Sequence, residues 1–103
     1  MATAKFGIGE IVVHNRFGYR GVIYGVDATF GLSDEWYDAV AQSRPPKDQP
    51  WYHVLVHEAS HATYVAERHL EVALDRSQID HPWLGQHFRS FDGDRYLPRH
   101  DAH

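Results

Sequence analysis

The sequence contains no cysteine. This absence excludes disulfide bonds, metal sites with thiolate ligands and a cysteine nucleophile. The chain must therefore be stabilised by burial of apolar surface, and a length of 103 residues with 43% hydrophobic and 14% aromatic content is enough for one core. We expect a single domain over residues 1–103, with its folded part over residues 5–98.

Long apolar runs are also absent. The N-terminal residues contain no stretch that resembles the apolar part of a signal peptide. No other stretch approaches the ~20 apolar residues that a membrane-spanning helix needs. We therefore expect a cytoplasmic protein that has no membrane partner.

Positive charge is scarce. The chain has 10 Lys and Arg against 14 Asp and Glu, which gives a formal net charge of −4 at pH 7. Proteins that bind the phosphate backbone usually carry an excess of Lys and Arg. The charge balance argues against tight, sequence-independent nucleic-acid binding, although it allows a local basic patch.

Residues 57–61 spell His-Glu-x-x-His and have two incompatible interpretations. On a helix, His57 and His61 would share one face and could bind Zn²⁺, with Glu58 as general base, so that the protein would be a zinc metallohydrolase. In a hairpin, the same residues would form the loop between a strand at 51–56 and a return strand at 62–65.

The residues on both sides of this motif favour the hairpin. They are mostly β-branched or aromatic, types that lose rotamer freedom in a helix and pack well on a pleated sheet. A hairpin separates His57 from His61, and the glycine-spaced third histidine of the extended zinc motif is absent. We predict no metal site, no cofactor and no catalysis, and keep the zinc hydrolase as the alternative.

The remaining sequence predicts short strands, turns and one helix. Strands are predicted at 11–13 and 22–27, and Gly25 indicates a bulge or bend in the second. Ser33 is a candidate N-cap for a short helix within 32–42, and an exposed, proline-stiffened connector follows at 43–50.

The C-terminal third predicts only short elements. We expect a turn at 67–72, one helical turn within 80–88, a tight turn at Asp92-Gly93 and fraying at 99–103. Many short strands with one helix are typical of a mainly β fold, here a small SH3-like barrel with one short helical excursion.

Several blocks of fixed spacing resemble the HspQ (YccV-like) family. They include Phe17-Gly18-Tyr19-Arg20-Gly21, Pro50-Trp51-Tyr52-His53-Val54 and a C-terminal block from His81 to Pro98. The C-terminal block is similar to that of the YccV-like domains in some F-box proteins, which suggests selection of substrates for degradation.

The resemblance implies a set of properties that the residues alone do not give. It implies a non-catalytic SH3-like barrel and a heat-shock-related protein that binds hemimethylated DNA. It also implies an adaptor or specificity factor for a Lon-like, ATP-dependent protease and its client proteins. Members of the family associate as small homo-oligomers.

One candidate site is a basic and aromatic patch made of Lys5, Arg16, Phe17, Tyr19 and Arg20. Its cations could contact phosphates and its rings could stack on bases. In the other interpretation, the rings close the end of the barrel and the arginines are solvated.

A second candidate site consists of Trp36, Tyr37 and Trp83. Trp and Tyr are enriched at protein interfaces, and these residues lie on the predicted excursions outside the barrel. Trp51, by contrast, is expected to be buried. An exposed apolar strand edge would also allow a strand of an unfolded client to be added, a mode that an adaptor could use.

Overall fold

A computed structural model describes residues 3–99 of the chain. Most of the predicted fraying at 99–103 therefore lies outside the described residues. Within residues 3–99 the elements are β1 (Ile11–His14), β2 (Arg20–Asp27), α1 (Asp34–Val40), β3 (Trp51–Val56), β4 (Ala62–Ala66), a 3₁₀ turn (Glu67–His69), β5 (Leu70–Val72), α2 (Leu84–His87), β6 (Phe88–Phe91) and β7 (Tyr96–Pro98). The predicted mainly β fold is confirmed.

Five of the strands form one antiparallel sheet in the order β4-β3-β2-β1-β5, and β6 pairs with β7 in a separate hairpin. The outermost strands, β4 and β5, are joined by only the 3₁₀ turn. In a flat sheet they would lie roughly 19 Å apart, whereas a three-residue 3₁₀ turn rises only about 6 Å. The sheet must therefore curl strongly, as in a small SH3-like barrel.

The hairpin predicted around residues 57–61 is confirmed. β3 and β4 pair from Trp51 with Ala66 to Leu55 with Ala62, so the five residues between the strands form the loop. Glu58 has a φ of 60° in this loop, a left-handed conformation that a helix does not contain. The helical interpretation of His-Glu-x-x-His is therefore wrong.

The predicted bulge in the second strand is also confirmed. The register between β2 and β3 shifts between Ile23 and Gly25, which leaves Tyr24 without a paired residue. A Cβ atom at Gly25 would lie 3.0 Å from the ring of His53. The small residue at this position therefore allows the His53 side chain to cross β2.

Both faces of the sheet are covered. The inner face holds a cluster that includes Val12, Ile23, Tyr52 and Val54. The outer face is covered at one end by residues 73–98, through a second cluster of Ile11, Val22, Leu55, Ala73, Ile79, Phe88 and Tyr96. At its other end α1 covers the sheet through a third cluster of Tyr37, Ala41, Trp51 and Ala66. The outer face of β4 contributes to both coverings, because Ala62 packs against the second cluster, Ala66 belongs to the third and Tyr64 packs against the third.

Helix α1 begins where the sequence predicted. The Ser33 hydroxyl oxygen accepts a hydrogen bond from the Trp36 N–H at 3.1 Å and so caps the helix. The connector after α1 is exposed at Arg44 and at 46–49, as predicted, but Pro45 and Pro50 are buried. The Tyr37 hydroxyl donates to the Pro45 carbonyl at 2.6 Å, which draws the connector against the sheet. Among residues 3–99, no helix has the length and apolar character needed to cross a membrane.

Candidate functional site

The residues of the predicted basic patch do not come together on one surface. The Arg20 guanidinium donates to the carbonyls of Asp75 and Ser77 at 3.1 and 2.8 Å, and its Nε lies 3.6 Å from the Asp75 carboxylate. Arg20 therefore fixes the 75–77 loop to the sheet. The Lys5 N–H donates to Glu67 at 2.8 Å, at the 3₁₀ turn. What remains of the patch is the turn that carries Arg16, Phe17 and Tyr19.

Arg16 and Phe17 are exposed at the tip of the turn between β1 and β2. Phe17 is 70% exposed, and the Arg16 guanidinium lies 5.7 Å from the centre of its ring. Tyr19 is half-buried, and its hydroxyl lies 2.8 Å from the Thr63 hydroxyl on β4. The turn between β1 and β2 therefore stands beside the β4 strand.

The three predicted partner-binding residues have different environments. Tyr37 is 5% exposed and belongs to the core, so a partner cannot reach it. Trp36 is half-buried and lines a cleft beside β4. Trp83 is 37% exposed, packs against His81 and does not line that cleft. Trp51 is buried, as expected.

This cleft has a volume of about 630 Å³. All five residues of β4 line it, together with the end of α1, the connector after α1 and the turn between β1 and β2. Its aromatic side chains are Phe17, Tyr19, Tyr24, Trp36, Trp51 and Tyr64, and its histidines are His14, His53 and His69. We refer to it as the β4 cleft.

The β4 strand has one unpaired edge that faces the cleft. At its two ends, Val56 donates to the His61 carbonyl and Glu67 donates to the Pro50 carbonyl. In an antiparallel ladder the bonded pairs alternate, so these bonds place the N–H and C=O groups of Ala62 and Tyr64 on the side away from β3. No described residue makes a main-chain hydrogen bond to them.

The cleft has two walls, one on each face of β4. The outer wall is aromatic: the Tyr64 ring lies 5.6 Å from Trp36 and 5.2 Å from Trp51. The inner wall contains Tyr19 and His14 and ends at the turn between β1 and β2. Because side chains of a strand point alternately to opposite faces, a strand added along this edge would contact both walls.

A hydrogen-bond network fixes the outer wall. The Tyr64 hydroxyl donates to the Asp27 carboxylate at 2.5 Å and accepts from the Gly31 N–H at 3.0 Å. His53 Nε2 lies 3.3 Å from the same carboxylate oxygen. Burial and the hydrogen bond to Asp27 raise the pKa of Tyr64 well above its usual range, so its ring stays neutral and positioned.

His14 fixes the inner wall. Its Nδ1 accepts hydrogen bonds from the Arg16 and Phe17 N–H groups, both at 3.1 Å. Its ring stacks on Phe17 at 4.6 Å and on His69 at 5.4 Å. Burial, followed by the charges of His69 and Arg16, lowers the pKa of His14. Neutral imidazole can accept at Nδ1, so this shift stabilises the turn at neutral pH.

His69 links the cleft to the connector. Its Nε2 lies 2.8 Å from the Ser43 hydroxyl, and the Arg68 guanidinium donates to the Ser43 carbonyl at 2.7 Å. Burial, followed by the charges of Arg68 and Arg16, lowers the pKa of His69. The positive charge at this end of the cleft therefore comes from Arg16 and Arg68, and His14 and His69 are held toward their neutral form.

The hairpin loop itself does not assemble a metal site. His57 Nδ1 accepts a hydrogen bond from the Asp80 N–H at 2.8 Å, so one ring nitrogen of the proposed ligand is already used. Within residues 3–99, no three His, Cys, Asp or Glu side chains are grouped closely enough to hold a metal ion.

Comparison with known proteins identifies the family. The profile of the family described as hemimethylated DNA-binding protein YccV like matches residues 4–95. The chain belongs to the YccV-like family. It is 38% identical over 95 residues to F-box only protein 21 of Pongo abelii and of Homo sapiens, and 37% identical to that of Mus musculus. These matches cover 90% of this chain but 15% of each relative.

Sequence reasoning missed most of the cleft in this YccV-like chain. It placed Tyr64 on the return strand of the hairpin but did not identify β4 as an edge of the sheet. His53 and His69 were not singled out as cleft residues, because the bulge and the 3₁₀ turn that bring them to the cleft depend on sheet order. The alternation of Thr63, Tyr64 and Val65 was the one available signal for a two-faced edge.

Proposed function

We propose that this YccV-like domain is a non-catalytic binding module that holds an extended segment of a client protein along β4 and thereby selects that client for regulated proteolysis. The observation that carries this proposal is the unpaired edge of β4 inside an aromatic cleft. A segment added to such an edge gains affinity from main-chain hydrogen bonds and specificity from the pockets for its alternate side chains.

The proteolytic role is supported by the relatives. F-box only protein 21 contains a domain that is 38% identical to this chain, and an F-box points to a ubiquitin-ligase setting. We propose that in this chain the same kind of client selection serves an ATP-dependent protease. The domain would supply the recognition step, and the protease would supply the chemistry.

Substitution of Ala62 tests the proposal at the edge itself. Ala62 is the first residue of β4, and its N–H points away from β3, so Ala62→Pro removes an outward donor without breaking a ladder bond. Ala62→Ser retains the N–H and is the matched control. Both variants and the wild type are used to capture proteins from heat-stressed cells, and the half-lives of the captured proteins are measured in cells with and without the chain.

We expect a set of proteins that the wild type and Ala62→Ser retain and Ala62→Pro loses, and we expect those proteins to persist longer in cells without the chain. Capture of the same proteins by all three forms would show that the β4 edge is not the binding site. Unchanged half-lives would show that binding does not serve proteolysis.

DNA binding is the second candidate, because the family is described by it and because Arg16 and Phe17 are exposed together. An arginine can contact a phosphate and an aromatic ring can stack on a base. The net charge of −4 works against this activity. A single phosphate contact also predicts a shallow salt dependence, in which the logarithm of the binding constant falls by about 0.9 per logarithmic unit of salt concentration.

Duplexes in hemimethylated, fully methylated and unmethylated form test this second candidate. We expect Arg16→Gln to weaken binding of the hemimethylated duplex more than Arg89→Gln, since Arg89 is exposed on β6 and does not line the cleft. Salt is raised from about 50 to about 200 mM, where phosphate contacts weaken. No binding to any duplex at the lowest salt would eliminate DNA as a ligand.

A further inference from the structure

We infer that the β4 cleft is selective for an acidic client strand, a polypeptide segment in which carboxylate side chains alternate with apolar or aromatic ones. This inference rests on the proposed function and deepens it, because it states the chemistry of the segment that the edge would bind. Three features of the cleft carry it: its charge, the difference between its two walls, and its main-chain edge.

The cleft differs in charge from the rest of the molecule. The chain has an excess of acidic residues, 14 against 10 basic ones. Nevertheless, no Asp or Glu is found among the described residues that line the cleft, whereas Arg16 lines it and the Arg68 guanidinium donates to Ser43, which also lines it. A cleft with no lining carboxylate in an acidic protein favours an anionic ligand and repels a cationic one.

The positive charge belongs to the inner wall. The Arg16 guanidinium forms no ion pair with any other residue in the described part of the chain, and it is exposed at the rim. A guanidinium can bind a carboxylate through two parallel hydrogen bonds. Arg68 lies beside this wall, where its guanidinium donates to the Ser43 carbonyl.

The outer wall has a different preference. Trp36 and Tyr64 present aromatic surface there, with the buried Trp51 behind them, and the Tyr64 hydroxyl is already bonded to Asp27 and Gly31. Such a surface favours aliphatic or aromatic side chains. A strand along β4 sends alternate side chains to the two walls, so acidic residues would face the inner wall and apolar residues the outer wall.

The main-chain edge indicates a polypeptide rather than a nucleic acid. Ala62 and Tyr64 each present an outward N–H and an outward C=O, in the alternation that pairs with another strand. A nucleic-acid backbone has phosphates and sugars but no matching series of amide donors and acceptors. The five residues of β4 would accommodate a segment of about five residues at the usual rise of a strand.

Selection from random peptides tests the inference without assuming a sequence. Peptides of about twelve residues displayed on phage are selected on the full-length chain, and the enriched peptides are synthesised and their dissociation constants measured. We expect enriched peptides in which Asp or Glu alternates with apolar residues. Changing those acidic residues to Gln or Asn should weaken binding about tenfold, the size of one lost charge-assisted contact.

Variants of the protein provide the matched control. Arg16→Gln should weaken binding of the acidic peptides about tenfold and leave their neutral Gln and Asn counterparts unaffected. Arg89→Gln removes an exposed charge on β6, outside the cleft, and should change neither. Circular dichroism of each variant confirms that the fold is retained.

The outcomes separate this inference from the proposed function. In one outcome, the enriched peptides bind Ala62→Pro more weakly, which places them at the β4 edge, but they carry no acidic residues. This result would overturn the acidic preference and leave the proposed binding module intact. If no enriched peptide binds Ala62→Pro more weakly than the wild type, both the acidic preference and the proposed binding at the β4 edge would be overturned. Displacement of the acidic peptides by an equimolar single-stranded oligonucleotide would show that nucleic acid is the better occupant of the cleft.

Discussion

At the scale of single residues, His14 shows how one side chain can define a surface. Its Nδ1 accepts from two consecutive N–H groups and so closes the turn that carries Arg16 and Phe17. The role of His14 could not be predicted from the sequence, because its hydrogen-bond partners depend on the conformation of the turn. The exposed phenylalanine and arginine are therefore held in place by a histidine that is itself 5% exposed.

Substitution of His14 tests this role. His14→Leu leaves both N–H groups without their acceptor and should lower the free energy of unfolding by about 1–2 kcal/mol, whereas the side-chain oxygen of His14→Asn can replace Nδ1 and should cost less. Urea denaturation at pH 7.5 measures both. Equal losses for the two variants would show that ring packing, and not the acceptor, is what His14 contributes.

The same residue makes stability depend on pH. The pKa of His14 is lowered in the folded protein, so the unfolded chain binds more protons in the range below the ordinary histidine value of 6.5. The free energy of unfolding should therefore fall as pH drops from 7 through this range. The fall should be smaller in His14→Asn, and denaturation curves at pH 7.5 and 5.5 compare the two proteins.

At the scale of elements, the hairpin was predictable and the sheet edge was not. β-branched and aromatic residues on both sides of residues 57–61 were enough to identify two strands, because this preference is local. The order of the strands is not local. Nothing in the sequence of β4 states that β5 pairs with β1 on the far side of the sheet and leaves Ala62 and Tyr64 unpaired.

Substitution of Glu58 by glycine distinguishes the hairpin from a helix, because the free energy of unfolding should rise in a hairpin and fall in a helix. Glu58 has a φ of 60° in the loop, so Glu58→Gly relieves left-handed strain and should raise the free energy of unfolding by about 0.5 kcal/mol after the cost in chain entropy. The control is Glu35→Gly in α1, which should lower it by about 1 kcal/mol. A loss of that size at residue 58 would contradict the hairpin.

At the scale of the whole molecule, the C-terminal segment packs on the outer face of the sheet and shares its core. Phe88 is 4% exposed and lies with Ile79 and Tyr96 on the outer face of the sheet. The sequence predicted a folded region as far as residue 98 but not which face this segment covers, since its elements are too short to carry a clear period. The segment lines no part of the β4 cleft, which α1 and the connector after it border instead.

Truncation of Phe88 tests whether the sheet and its covering unfold as one unit. Phe88→Ala should lower the free energy of unfolding by about 3–4 kcal/mol, with a single transition by fluorescence and circular dichroism. The control is Leu74→Ala, because Leu74 is 100% exposed and its truncation should have almost no effect. Two separate transitions, or a small loss for Phe88→Ala, would show that residues 73–98 fold independently of the sheet.

The most direct test of the β4 cleft as a polypeptide-binding site is amide hydrogen exchange at Ala62 and Tyr64. In the free protein their outward N–H groups should exchange quickly, while those of Thr63 and Val65, which are bonded to β3, should exchange slowly. When a peptide selected on the chain is bound, we predict that exchange at Ala62 and Tyr64 slows at least about tenfold. Unchanged exchange at both residues in the saturated complex would contradict strand addition at β4.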